Sequence, residues 1–149
     1  MEIERKFLVK DIPADLSAYP CHIIEQGYLC TDPVVRIRRQ DDEYILTYKG
    51  SGLLCREEYN LPLKAASYAH LKEKTDGHII SKKRYVIPLE NRLNIELDIF
   101  EPPFAPLVLA EVEFPDIETA NAFSPLPWFG EDVTTDGRYH NSYLSRMEF

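Results

Sequence analysis

Cysteine is scarce in this chain of 149 residues, with Cys21, Cys30 and Cys55 the only three. They form neither an even set nor a C-x-x-C pair, which argues against a disulfide framework and a zinc knuckle and fits a reducing compartment. No apolar run approaches the roughly 20 residues a bilayer span needs, and Glu2, Glu4, Arg5 and Lys6 are incompatible with a secretory leader. The expected location is the cytoplasm, with no membrane partner. Positive charge is also in deficit. With 17 Lys and Arg against 25 Asp and Glu, the net charge of -8 argues against a general nucleic-acid binder, which works through a basic surface that displaces phosphate counterions. A concentrated basic pocket stays compatible with that total, because it acts through the local field. The glycine patterns of a P-loop and a Rossmann turn are absent, as is the G-x-S-x-G elbow. His22, His70, His78 and His140 lack H-E-x-x-H spacing and read as surface or structural groups. Trp128, between Pro127 and Phe129, reads as a packing residue. With no repeat, low-complexity stretch or linker, residues 1–149 are expected to form a single domain. The oligomeric state is not fixed by the sequence, and a homodimer is one assembly it allows.

What the chain does contain is alternation. Eight runs read as strands: Glu2 to Val9, Cys21 to Cys30, Val34 to Arg39, Tyr44 to Lys49, Cys55 to Leu61, His78 to Pro88, Leu93 to Phe100 and Leu107 to Phe114. Helical signals are fewer, namely Ala65 to Lys74, a short segment with Asp116 as N-cap, and a stretch from about Tyr139 to Met147. The class is α+β, mainly β.

Successive side chains point to opposite faces of a strand, so each run splits in two. Glu2, Glu4 and Lys6 oppose Ile3, Phe7 and Val9; Arg36 and Arg38 oppose Val35 and Ile37; Thr47 and Lys49 oppose Leu46 and Tyr48. Glu96 and Asp98 oppose Ile95, Leu97 and Ile99, and Glu111 and Glu113 oppose Ala110, Val112 and Phe114. An ordinary sheet would show the charged face to water. A solvated face mixes Ser, Thr, Gln and Lys, however, whereas here charge sign is sorted by strand. The first and last two runs carry the acids Glu2, Glu4, Glu96, Asp98, Glu111 and Glu113. The middle runs carry Arg36, Arg38, Lys49, Arg56, Lys82 and Arg84, with Glu58 among them. If the last strand neighbours the first, an eight-stranded β-barrel closes with acids facing bases across a lumen that can hold one small ligand, leaving the helices outside. Burying so many charges costs several kcal/mol each unless partners compensate, so a ligand-holding lumen explains them better than a structural ion network. Carboxylates suit a hard cation and the bases suit phosphate oxygens. By the same parity, Arg5 and Lys83 fall on the outside and read as surface charges.

The opening Glu2-Ile3-Glu4-Arg5-Lys6 carries the E-x-E-x-K signature of the CYTH domain, and the chain resembles the triphosphate tunnel metalloenzymes. The resemblance extends through V-R-I-R (Val35 to Arg38), L-T-Y-K (Leu46 to Lys49), R-E-E-Y (Arg56 to Tyr59), K-K-R-Y (Lys82 to Tyr85), E-L-D (Glu96 to Asp98), L-A-E-V-E-F (Leu109 to Phe114) and V-T…D-G-R-Y-x-N (Val133 to Asn141). It implies an antiparallel eight-stranded tunnel that binds a small-molecule triphosphate with a divalent metal, Mg²⁺ or Mn²⁺. By motif, Glu2, Glu4, Glu111 and Glu113 would hold metal, and Lys6, Arg36, Arg38, Lys49, Arg56, Lys82 and Arg84 would hold phosphates. Arg138, after the Asp136-Gly137 turn, is a candidate to swing over the tunnel mouth. Asn60 stands where many relatives carry a glutamate, which puts one tunnel carboxylate in question.

The expected activity is metal-dependent hydrolysis of the terminal phosphoanhydride of a linear triphosphate, foremost inorganic tripolyphosphate, with Glu58, Glu96 or Asp98 orienting the water. Three alternatives stay open: a thiamine or nucleoside triphosphatase, a class IV-type adenylate cyclase, and a non-catalytic polyphosphate-binding module.

Overall fold

The structure is a computed structural model that describes all 149 residues. Its ten strands are β1 Glu2–Val9, β2 Cys21–Thr31, β3 Val34–Gln40, β4 Glu43–Lys49, β5 Cys55–Arg56, β6 Glu58–Pro62, β7 Asp76–Pro88, β8 Asn94–Phe100, β9 Val108–Glu113 and β10 Phe129–Asp132. Every pairing is antiparallel, in the order β10-β1-β9-β8-β7-β2-β3-β4-β6, and β5 pairs back onto β1. The barrel is therefore nearly closed. Its seam is short: the run expected as one strand from Cys55 breaks at Glu57, β6 lying along β4 while β5 meets β1 only at Glu2↔Arg56 and Ile3↔Cys55. Counted around the barrel, β5 and β6 together form one stave of eight. The last stave does neighbour the first, with Glu4 opposite Glu113 and Lys6 opposite Glu111.

The charged faces turn inward, so most of the apolar core lies outside the wall. Phe7, Ile95, Leu97, Ala110, Val112 and Phe114 point outward and are buried beneath α2 (Ile117–Ala122), β10 and the segment carrying Leu16 and Tyr19. Asp116 caps α2 as expected, accepting from the Thr119 amide at 2.6 Å. Arg5 also lies outside the lumen, but the surface-charge reading needs correction. Its Nη1 donates to the carbonyls of Ala120 and Phe123 at 3.0 and 2.8 Å, closing off the α2 C-terminus, and its Nη2 pairs with Asp132. β10 carried no alternation and was not expected. Phe129 nonetheless packs 4.9 Å from Phe7, with Trp128 against it edge-on.

α1 (Ala65–Lys72) covers the barrel elsewhere through its one buried side chain, Tyr68, against Tyr44. A second apolar cluster, including Tyr28, Val34, Ile80, Phe100, Val133 and Leu144, fills one end of the lumen. The chain closes that end with a 3₁₀ turn at Gly137–Tyr139 and α3 (Asn141–Leu144), shorter than the helix expected there. This segment is anchored at Gly77, whose φ of 68° suits glycine and where a Cβ would run into the Ser145 carbonyl oxygen. No helix is long and apolar enough to cross a membrane.

Candidate active site

Strand parity, closed into a barrel, produces the site. One cavity of about 260 Å³ is lined by thirteen charged side chains, Glu2, Glu4, Lys6, Arg36, Arg38, Lys49, Arg56, Glu58, Lys82, Arg84, Glu96, Glu111 and Glu113, against only four apolar ones. Two expected residues are missing from it. Asp98 shares the inward face but is fully buried behind the wall, its oxygens taken by Lys82 Nζ at 2.7 Å and by Arg84 Nε and Nη2 at 2.7 and 2.9 Å. Its carboxylate is taken up by those two cations and does not line the cavity. Arg138 forks onto Asp136 at 2.6 Å outside the cavity with its side chain 70% exposed, because the 3₁₀ turn aims it at solvent. It does not line the cavity.

The walls differ in how their charges are met. On the seam side, Lys49 Nζ bonds Glu2 at 2.8 Å and Glu58 at 3.2 Å, and Arg56 lies 3.8 Å from Glu2. Burial raises the Glu58 carboxyl, but hydrogen bonds within this group and Lys49 outweigh it and hold Glu58 at about 2. Glu111 sits 3.5 Å from Lys6, and burial there is likewise outweighed by Lys6, Arg84 and Lys82, which keep it ionised. Glu4 is different. Burial, with Glu111 and Glu2 close by, pushes its carboxyl up to about 8, and Glu113 is raised by burial, Glu58 and Glu96. The acidic wall is thus short of positive charge around Glu4.

The basic wall has the opposite shortfall. Arg36 and Arg38 bond only neutral groups, Thr47 at 3.1 Å and Gln26 at 2.8 Å. Arg36 Nε is a buried donor with no partner at all. Burial and the neighbouring Arg36 and Arg84 draw Arg38 down to about 9, and burial likewise draws Lys82 down to about 7 against the pull of Asp98. Such a cluster of guanidinium donors is complementary to an oxyanion.

The donor chemistry of the acidic wall fits a hard divalent cation, since Glu2, Glu4, Glu111 and Glu113 offer only carboxylate oxygens. No three carboxylate, imidazole or thiolate groups converge on one point.

Several lining residues escaped the sequence reading. His140, expected as surface or structural, lines the cavity with Asn141 and Ser142, and burial with Lys6 and Arg56 nearby lowers its imidazole to about 4. Asn60 does occupy the lumen face, accepting from Thr47 Oγ1 at 2.6 Å and donating to Glu58 at 3.0 Å. Parity on β6 marks Asn60, but nothing local to residues 140–142 signals that the chain returns to close one end of the barrel.

A nearly closed antiparallel barrel with acids facing bases is the architecture expected of CYTH domains, and the CYTH domain matches residues 1–145. The chain belongs to the CYTH domain family. Among its relatives, the inorganic triphosphatase of Nitrosomonas europaea is 43% identical over 148 residues, covering 97% of this chain and 96% of the relative. The inorganic triphosphatase of Acetivibrio thermocellus is 38% identical over 153 residues, covering 99% and 95%. The crystal structure of the inorganic triphosphatase NE1496 aligns with a TM-score of 0.74 and 38% identity, over 99% of this chain and 96% of that one. A Hippeastrum adenylyl cyclase candidate with a dominant triphosphatase activity aligns at a TM-score of 0.58 with 19% identity, over 81% of this chain and 83% of its own, and shows the shared fold alone.

Proposed function

We propose that this protein is an inorganic triphosphatase, hydrolysing tripolyphosphate to orthophosphate and pyrophosphate. The observation that carries the reading is the unmet donor capacity of Arg36 and Arg38 facing an acidic wall across one cavity. Inorganic substrate is favoured over a nucleotide because Tyr28 is the only aromatic ring of the lining besides the His140 imidazole, and it packs into the closed end, so no platform is left for a base. The names of the two relatives support the same substrate.

In this reading Arg36, Arg38, Lys82 and Arg84 hold phosphate oxygens and align the chain for in-line attack, while Lys6 and Lys49 contribute charge from the acidic side. Water attacks the terminal phosphorus, a new P–O bond forms, and the bond to the bridging oxygen breaks. Glu58 and Glu96 are the acceptors left to orient that water, and Glu58, at about 2, orients it without being a strong base. A divalent cation, Mg²⁺ or Mn²⁺, taking one or two carboxylates from among Glu2, Glu4, Glu111 and Glu113, would offset the charge that develops on the phosphate oxygens.

The test is phosphate release from tripolyphosphate, pyrophosphate, thiamine triphosphate and ATP, each with Mg²⁺ and with Mn²⁺. The reading requires tripolyphosphate to have the highest kcat/KM and a chelator to abolish turnover. A higher value for ATP or thiamine triphosphate, cyclic nucleotide product, or binding without turnover would each overturn it. Glu4→Gln and Glu113→Gln should stay folded and lose most activity, because an amide is a much poorer ligand for a hard cation.

A further inference from the structure

Two neutral amides sit among the cations of the basic wall. Gln26, on β2, is fully buried, and Asn141 opens α3 at the closed end of the cavity. Arg38 Nε donates to Gln26 Oε1 at 2.8 Å, Gln26 Nε2 donates to Asn141 Oδ1 at 3.1 Å, and Lys82 Nζ donates to the same Oδ1 at 3.0 Å.

The two ends of an amide are told apart by their partners. A guanidinium offers only donors, so Gln26 turns its oxygen to Arg38 and its NH2 group to Asn141. Asn141 then turns its oxygen to that NH2 group and to Lys82, itself ion-paired to Asp98 at 2.7 Å. Both amide oxygens are therefore spent inside the wall. The Asn141 Nδ2 has no acceptor in the protein, and the residue lies on the cavity surface.

We propose that Asn141 is a substrate-binding residue whose Nδ2 donates to a phosphate oxygen, and that Gln26 is the positioning residue that sets the Asn141 amide that way round. The assignment rests on the triphosphate reading of the tunnel. It leaves these two amides no free oxygen toward the cavity, since the oxygens that would repel an oxyanion are turned into the wall, away from the lumen. It also explains why α3 returns to the barrel: the helix brings a neutral donor to a place where a further cation would sit unpaired beside Lys82 and Arg84.

The experiment measures kcat and KM for inorganic tripolyphosphate, together with thermal unfolding, on full-length protein. Asn141→Ala should raise KM about tenfold with a smaller change in kcat, as expected for loss of a ground-state contact to a charged group. Asn141→Asp keeps an acceptor for Lys82 and Gln26 but sets a carboxylate oxygen against the phosphate. It should raise KM further while leaving the melting temperature unchanged or higher, so it reads the contact even if the alanine variant is poorly folded. Gln26→Met should raise KM by a larger factor in the parent than in the Asn141→Ala protein, where no amide is left to misalign. Wild-type KM in Asn141→Ala or Asn141→Asp overturns the role of Asn141, and equal factors for Gln26→Met in both backgrounds overturn the role of Gln26. Parent protein that neither binds nor hydrolyses tripolyphosphate overturns the triphosphate reading itself.

Discussion

Replacing Asp98 by Asn separates charge balance from chemistry at the point where the structure departs from the sequence reading. Asp98 is fully buried and is the only carboxylate paired with Lys82, at 2.7 Å, and the bidentate partner of Arg84. Removing one member of a buried ion pair costs about 3–5 kcal/mol, because the partner is left charged and desolvated. Two features place this case at the lower end. Lys82, already drawn down to about 7, can shed its proton, and Arg84 keeps Glu96 at 3.1 Å. A loss of about 3 kcal/mol corresponds to a melting temperature lower by about 6–12 °C in a domain of this size. Added tripolyphosphate should restore part of the loss, since a bound anion supplies the missing charge and stabilises by mass action. The assay is a thermal melt of parent and Asp98→Asn, with and without tripolyphosphate, beside steady-state kinetics. A variant that melts within about 2 °C of the parent yet is inactive would refute the argument and return Asp98 to a direct role in orienting water.

Three further outcomes follow from other parts of the molecule. Arg36→Ala should lower kcat about 10²–10³-fold, and Arg36→Lys should recover only part of it, because an ammonium lacks the fork that leaves Nε free for phosphate; full turnover in either variant would assign Arg36 to structure. At Glu25, burial raises the carboxyl, but hydrogen bonds from Lys72 and Tyr68 outweigh it and hold it below its ordinary 4.5. The unfolded chain then binds more protons, so the stabilisation is present above about pH 4.5 and is lost as pH falls through the folded value; the acid limb of melting temperature against pH should be shallower in Glu25→Gln, and identical limbs would count against the pairing of α1 with β2. Gly77→Ala should destabilise by about 1–3 kcal/mol, through its positive φ and the clash with the Ser145 carbonyl, and should weaken tripolyphosphate binding by loosening the segment that carries Asn141; an unchanged melt and KM would contradict the anchoring role.

Much of this protein is set by a local rule that a linear sequence displays in full. A strand alternates its side chains, so Glu2, Glu4 and Lys6 had to share a face, as did Arg36 with Arg38 and Glu111 with Glu113, whatever the strands packed against. The sorting of acids and bases between runs then pointed to a lumen, and the E-x-E-x-K resemblance to a tunnel that binds triphosphate. Which charges are met and which are left wanting was decided only in three dimensions, because it depends on neighbours far apart in the chain. Asp98 has the parity of Glu96 but is sealed off by Lys82 and Arg84, and Arg138 is turned to solvent by Asp136. Arg5, on the outside by parity, became the cap of a helix more than a hundred residues away. His140 and Asn141 entered the site through the return of the C-terminal segment to the closed end of the barrel, a long-range packing event driven by Leu144 and Val133 joining the apolar end of the lumen. Alternation is a property of the backbone and is legible residue by residue, whereas the unpartnered Arg36 Nε and the orientation of the Asn141 amide exist only once the barrel closes.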